Sequence, residues 1–310
     1  MNLKDISWEI NDLLEQRRKD LQLTFVEEKH IYFMKDVDGV VKNNFPSVSK
    51  VLKKFYPEFP TDEAAERKSK GNPVIKQSLI EEWAAAGDYS TNMGSRVHFF
   101  LEKNLIESSG NYKEVRQPIF DCDITQILKG DSMITAGSKF LKLMNEREVV
   151  LLDTEIVLGH PELGYTGQPD KVWLVVNRNK DGFGLLITDW KTNKPKNFES
   201  NNFTKPMFKP FQNLPNTALG HYYVQLPLYG KLILKMLEGT KYENMKLYGC
   251  IVVLLQEDSE FKEFRVPQDV VDTVMNMNVK DYLNWQQTKK ILYLNYDKTN
   301  FQHKRQNSNG

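Results

Sequence analysis

Asp170, Asp189 and Lys191 are the residues on which this chain's chemistry would rest, set in the strings Gly167-Gln168-Pro169-Asp170 and Ile187-Thr188-Asp189-Trp190-Lys191-Thr192. Side chains alternate along a strand, so Asp189 and Lys191 point to one face and Trp190 to the other. A carboxylate and an ammonium then share that face. A preceding strand starting near Asp170 brings a second carboxylate alongside, and the pair offers oxygen ligands to Mg²⁺ or Mn²⁺. Lys191 is left to orient or deprotonate an attacking water. Metal-dependent phosphodiester hydrolysis needs these groups together. The plain alternative is a surface salt bridge, the ordinary fate of an Asp-x-Lys. Against it stand the apolar run Leu185-Leu186-Ile187 and the approach from Gly164 to Gly167, where glycine lets backbone come close to a substrate or ligand.

Other residues could join this set. Glu155 alternates with Asp153 in an apolar strand and is either a third acid, helping the metal or water, or simply solvated. His98, on a face with Leu101, Glu102 and Leu105, is either a satisfied core histidine or an imidazole ligand that favours Mn²⁺ over Mg²⁺. Neighbouring Arg96 touches a phosphate or is solvated. Gln225 and Tyr229 lie four apart on one helix face, where they could hydrogen-bond a phosphate or a catalytic carboxylate. Pro227 between them removes a helix hydrogen bond and should kink the helix. Beyond Lys191, the lysines Lys194, Lys196, Lys205 and Lys209 interleave with Phe198, Phe203, Phe208 and Phe211. Lysines on phosphates and phenylalanines on unpaired bases suit single-stranded nucleic acid. The alternative is a long loop whose rings tuck back onto the core.

The elements that must position these groups follow from apolar periodicity. Residues 24–34 and Val40-Val41 flank a turn at Asp38-Gly39, which predicts a hairpin. Ser47 N-caps a helix carrying Val48, Val51, Leu52 and Phe55. A charged helical stretch spans 61–86, a core-packed helix 94–105, a polar loop 107–120 and another helix about 135–146. Strands at 149–158, 170–176 and 184–190 form an antiparallel meander, the last two joined by a turn at 179–182. A helix over 218–237 then crosses to an apolar strand at 247–255, placed beside the meander. Helix, three strands, helix, strand is an α/β core with one mixed sheet. A helix over 267–290 follows, and residues 302–310 read as a disordered tail.

Composition narrows the field. With 310 residues and 40% hydrophobic content the chain has material for a real core. Its 42 basic and 41 acidic residues give a net charge of +1, so no global field advertises nucleic acid and contacts must come from local patches. Cys122 and Cys250 are the only cysteines, too few for a disulfide scaffold, a four-cysteine zinc site or an iron-sulfur cluster. A reducing cytoplasm is the default. No run approaches the roughly 18 apolar residues of a membrane span, and no membrane partner is expected.

Taken together, these strings resemble the RecB-type nuclease domain of the PD-(D/E)XK superfamily. Gly94-Ser95-Arg96-Val97-His98 is similar to its first motif, and Asp153-Thr154-Glu155 to its strand acid. Gly167-Gln168-Pro169-Asp170, Asp189-Trp190-Lys191-Thr192 and Gln225-Leu226-Pro227-Leu228-Tyr229 resemble the other three, in order, over about residues 94–256. Phe45-Pro46-Ser47-Val48-Ser49 resembles a lead-in of stand-alone phage exonucleases and the mitochondrial genome maintenance exonuclease. Ser95 stands where threonine is usual, and Pro227 is unusual within its helix.

The resemblance implies a restriction-endonuclease-like core (αβββαβ) over residues 93–292, an accessory region at 1–92 and a flexible tail at 293–310. It implies Mg²⁺ or Mn²⁺ bound by His98, Asp170, Asp189 and the Trp190 carbonyl, with Lys191 and Glu155 assisting water. Gln225 and Tyr229 would support substrate or the acids. The expected activity is a deoxyribonuclease, foremost an exonuclease on single strands or DNA ends, in phage-type replication, recombination or degradation in a host cytoplasm alongside proteins of those processes. A structure-specific endonuclease and a non-catalytic DNA-end-binding subunit are the alternatives.

Overall fold

The computed structural model describes residues 2–109, 118–147, 149–177, 182–200 and 205–284. It opens with α1 (Leu3–Asp20), which buries Ile6, Ile10 and Leu14 and was not foreseen from the sequence. β1 (Thr24–Val26), β2 (Ile31–Lys35) and β3 (Val41–Lys42) pair as a three-stranded antiparallel sheet, so the expected hairpin gains a strand. α2 (Val48–Leu52) starts where Ser47 accepts a hydrogen bond from the Lys50 amide at 3.3 Å. α3 (Thr61–Ser69) packs on α4 (Pro73–Ser109), a helix of 37 residues. It passes unbroken through residues 92 and 93, where the accessory region was expected to give way to the core. Met93, Val97, Leu101 and Leu105 repeat every fourth residue along its buried stripe. α5 (Ile124–Glu146) begins well before Thr135 because Asp123 and Gln126 form a reciprocal capping box, each bond 2.8 Å.

Five strands follow: β4 (Val150–Thr154), β5 (Leu158–His160), β6 (Tyr165–Gly167), β7 (Lys171–Val176) and β8 (Phe183–Lys191). The single strand expected over 149–158 is two. β4 ends at Thr154, Glu155 turns left-handed at a φ of 48°, and β5 leaves to pair with β6 in a separate ribbon. Glu155 therefore does not alternate with Asp153 along one strand; a register shift between Leu151 and Asp153 already disturbs the ladder. After α6 (Pro195–Phe198) come α7 (Ala218–Met236), β9 (Leu247–Leu255), β10 (Phe261–Arg265) and α8 (Gln268–Asn276). The helix expected over 267–290 breaks at Met277, whose backbone is extended, and residues 279–284 are helical again. The turn residues 179–181, residue 203 and everything beyond 284, including the expected tail, lie outside the described residues.

The central sheet runs β10-β9-β8-β7-β4, with β8 and β9 parallel and every other pair antiparallel. This is an α/β architecture, a mixed sheet flanked by helices, as the pattern predicted; β10 is additional. Alternation divides the sheet's residues between two cores. Val172, Leu174, Leu185, Ile187, Val252 and Leu254 pack with α7, whereas Trp173, Trp190, Ile251 and Val253 pack with α4 and α5. Trp190 thus lies opposite Asp189 and Lys191. Among the described residues, no helix is long and apolar enough to cross a membrane.

α7 must be held accurately because it presents Gln225 and Tyr229 to the sheet. Its first turn is capped by Thr217, whose hydroxyl accepts from the Gly220 amide at 3.1 Å, and the helix continues through Pro227. A Cβ on Gly220 would sit 2.0 Å from the Pro215 carbonyl oxygen, a backbone atom that cannot swing aside. Gly220→Ala should therefore lower unfolding free energy by about 1–3 kcal/mol, read from denaturant midpoints. An unchanged midpoint would refute the close approach.

The same turn seats His221, which stacks on Tyr56 with ring centroids 3.6 Å apart and hydrogen-bonds Asn216 Oδ1 through Nε2 at 2.6 Å. Burial pulls its pKa down to about 4. On acidification the unfolded chain takes up this proton near pH 6.5 while the folded chain resists until about 4. Stability is thus lost as pH falls through that window, by about 1–2 kcal/mol after allowing for the ring's partial exposure. The stability gap between wild type and His221→Gln should narrow or invert between pH 6.5 and 4. A gap constant with pH would show that the imidazole titrates alike in both states.

Candidate active site

Three separate elements deliver one ligand atom each to a single place. His98 comes from α4, Glu155 from the left-handed turn after β4 and Asp170 from the residue before β7, and their ligand atoms all lie within 4.8 Å of one another. The turn at Glu155 is fixed by two backbone contacts: its amide donates to the Asp170 carbonyl at 3.2 Å, and its carbonyl accepts from Gln168 Nε2 at 2.9 Å. A non-glycine residue at positive φ is uncommon, and such strain concentrates at functional positions. Here it aims the carboxylate inward. Asp170 Oδ2 accepts from the Trp190 amide at 3.0 Å and faces His98 Nδ1 at 3.3 Å, while the Trp190 backbone also hydrogen-bonds the imidazole.

Asp189 and Lys191 stand beside this cluster, both on the α7 side as strand alternation requires. Asp189 is buried, hydrogen-bonds the Asp170 carboxyl and accepts from Lys191 Nζ at 2.7 Å. Lys191 also lies over the Tyr222 ring, 4.4 Å from its centroid. Gln225 Nε2 donates to the Tyr229 hydroxyl at 3.0 Å. Gly167 allows a close approach, but to protein: a Cβ there would lie 2.7 Å from both the Tyr229 ring and Val48. The glycine seats Tyr229.

Electrostatics leave the cluster short of positive charge. Burial, then the field of Asp170, pushes Glu155 well above the usual carboxylate range. Burial and then Asp170 raise Asp189 likewise. Burial opposes the charge on Asp170 too, but His98, Lys171 and the hydrogen bond from Asp189 outweigh it and hold its carboxyl low. Burial drags His98 down to about 4 despite the pull of Asp170, so the imidazole is neutral, the form that ligates metals. Burial works against the Lys191 ammonium, yet Asp189, Tyr222 and Asp170 raise it above its ordinary value. It stays charged, which suits electrostatic stabilisation rather than proton abstraction. A donor set of one imidazole and several carboxylate oxygens fits Mn²⁺ or Mg²⁺.

The nucleic-acid candidates divide. Lys194, Lys196, Lys205 and Lys209 are exposed. Phe198 is not available for stacking on a base: it is fully buried against Tyr222 and Phe264, with centroids 5.9 and 5.3 Å away. Phe211 is buried as well, whereas Phe208 is exposed. Arg96 pairs with Asp131 at 2.7 Å and stacks on Phe100, so its charge is already engaged.

Sequence reasoning missed Lys171. The residue is 2% exposed, its Nζ lies 4.0 Å from Asp170 Oδ2 and 4.1 Å from the centre of the Trp190 ring, and burial lowers its pKa against the pull of Asp170 and Glu155. The signal was a lysine opening an otherwise apolar strand. Glu102 was also given no role; one turn after His98, it accepts from Thr154 Oγ1 at 3.1 Å, joining α4 to the end of β4. No protein-family model matches the chain, and no curated protein matches it. What fold and site define directly is an α/β protein with a part-buried imidazole and carboxylate cluster at the edge of a mixed sheet.

Proposed function

We propose that this chain is a metal-dependent DNA nuclease with a restriction-endonuclease-like core, foremost an exonuclease on single strands or DNA ends. The observation that carries the reading is the convergence of His98, Glu155 and Asp170 within 4.8 Å, beside the hydrogen-bonded Asp189 and Lys191. The order α5, β4, β7, β8, α7, β9 agrees with an αβββαβ core, and β8 running parallel to β9 supports it.

His98, Glu155 and Asp170 would hold Mg²⁺ or Mn²⁺, with the adjacent Asp189 carboxyl as a further oxygen ligand. The bound ion would lower the pKa of its water and polarise a phosphoryl oxygen. Lys191, held charged by Asp189, orients the nucleophile and offsets negative charge building on the phosphate. Burial and Asp189 keep the Tyr229 phenol protonated, and with Gln225 it forms a neutral hydrogen-bonding wall against the acids. The Trp190 amide fixes Asp170 in place.

End-labelled linear single strands, overhang duplexes, closed circles and RNA, incubated with Mg²⁺ or Mn²⁺ and with chelator, test the reading. Chelator-sensitive release of label from linear DNA and none from circles is the expected result. Cleaved circles would make it an endonuclease. Tight DNA binding without hydrolysis would leave an end-binding subunit.

A further inference from the structure

A second feature lies beside α2, formed by residues that take no part in the acid cluster. It is a groove of about 1810 Å³. Lys50 in α2 and Lys53 and Lys54 in the turn at its C-terminal end, together the α2 lysines, line one wall, while Val48, Val51 and Leu52 are buried. Lys209 and Lys280 line it too, and the stem of Lys280 packs where a Cβ of Gly164 would reach, 3.4 Å away. These five lysines make no ion pair among the described residues. Four acids line the groove as well. Asp36 is bound by Lys42, which leaves Asp38, Glu58 and Asp281, the last accepting from the neutral Asn278 amide at 2.7 Å. Five lysines against these three acids leave the groove positive, with three of the five at α2 and the turn that ends it.

Aromatic rings accompany the lysines. Phe208 is 46% exposed, Phe45 lines the groove nearby, and Tyr282 stacks on Phe55 with centroids 4.6 Å apart. The sequence after Asn284, itself on the groove wall, carries Lys289, Lys290, Lys298, Lys304 and Arg305 against Asp297. That segment repeats the groove's charge and does not complement it. A polyanion does, and lysines beside the exposed Phe208 and the part-exposed Phe45 suit one whose bases are unpaired.

We propose that this groove is a binding tract for single-stranded nucleic acid, with the α2 lysines on phosphates and Phe208 and Phe45 against bases. Its substrate class rests on the nuclease reading above. The groove is tied to the acid cluster through β6: Thr166 donates its amide to the Pro46 carbonyl at 3.0 Å, and Gly164 lines the groove. Asp170 follows Gly164 by six positions in sequence, a span of at most about 22 Å even if fully extended. A strand held in the groove is thereby kept near the cluster.

Anisotropy of labelled oligothymidylate, measured in chelator so that nothing is cut, tests this. Lys50→Glu/Lys53→Glu/Lys54→Glu should weaken binding at least about tenfold and flatten the plot of log affinity against log salt by about 2, the slope of three lost phosphate contacts on a single strand. The neutral Lys→Gln triple should fall between it and wild type. A control triple of exposed lysines outside the groove, Lys142→Glu/Lys246→Glu/Lys262→Glu, should bind as wild type. Unchanged affinity and slope in the α2 triple, an equal loss in the control, or a duplex bound as tightly and with the same sensitivity overturns the proposal. If wild type cuts DNA but the α2 triple binds normally, the groove alone is refuted. If wild type binds strands through α2 but never cuts them in Mn²⁺, the hydrolytic reading alone is refuted.

Discussion

Asp170→Asn protein should lose the proposed metal-dependent DNA hydrolysis by at least about a thousandfold, together with the thermal stabilisation by Mn²⁺ expected of the wild type. Asp170 is the one side chain that touches almost every other part of the cluster. Its Oδ2 takes the Trp190 amide at 3.0 Å and faces His98 at 3.3 Å, and its carboxyl hydrogen-bonds that of Asp189. The amide keeps an acceptor for Trp190, so the strand end should survive. What disappears is the low-pKa carboxylate around which His98 and Glu155 converge. Mn²⁺ at a hundred times its dissociation constant stabilises a single-site protein by about 2.7 kcal/mol, a shift of a few degrees in melting temperature. Wild type should show that shift and Asp170→Asn should not. A variant that digests DNA at half the wild-type rate, or melts later in Mn²⁺ as wild type does, would remove Asp170 from the proposed metal site.

Lys191→Met should separate metal binding from turnover. The Mn²⁺ shift should persist, because the converging ligand atoms belong to His98, Glu155 and Asp170, while hydrolysis falls by about 10²–10³. Lys191→Arg, which keeps a cation but cannot serve as a base, should recover part of the rate. The sign of the pH dependence follows from the raised pKa of Lys191. Its charged form is complete below the ordinary lysine range and is lost only as pH rises through the raised value. The wild-type profile should therefore show no limb between pH 6 and about 9 that vanishes in Lys191→Arg. A limb rising tenfold per unit that disappears in that variant would make Lys191 the base.

The elements around the site were legible because each is driven by local periodicity. The last two strands of the meander, α7 and the parallel return strand stand where apolar alternation and 3.6-residue spacing placed them. Trp190 faces away from Asp189 and Lys191 for the same reason, the period of two in a strand. Helix ends were less legible. α5 begins at a reciprocal bond between Asp123 and Gln126 that looks like ordinary polar sequence, and α4 carries a charged half that no core covers.

By itself, the sequence determined which groups could do chemistry and that Asp189 and Lys191 must share a face, since both follow from residue type and strand geometry. Tertiary structure alone decided what those groups are. Burial made the imidazole of His98 neutral, and Asp189 and its neighbours kept the Lys191 ammonium charged. It took Glu155 off its strand through a left-handed turn held by Asp170 and Gln168, sank Phe198 into the core, and brought Lys171 beneath Asp170. It also lined up the α2 lysines with Lys209 and Lys280 across one groove. Each of these depends on contacts between residues far apart in the chain, where desolvation and the field of several charges act together. No local spacing encodes such sums.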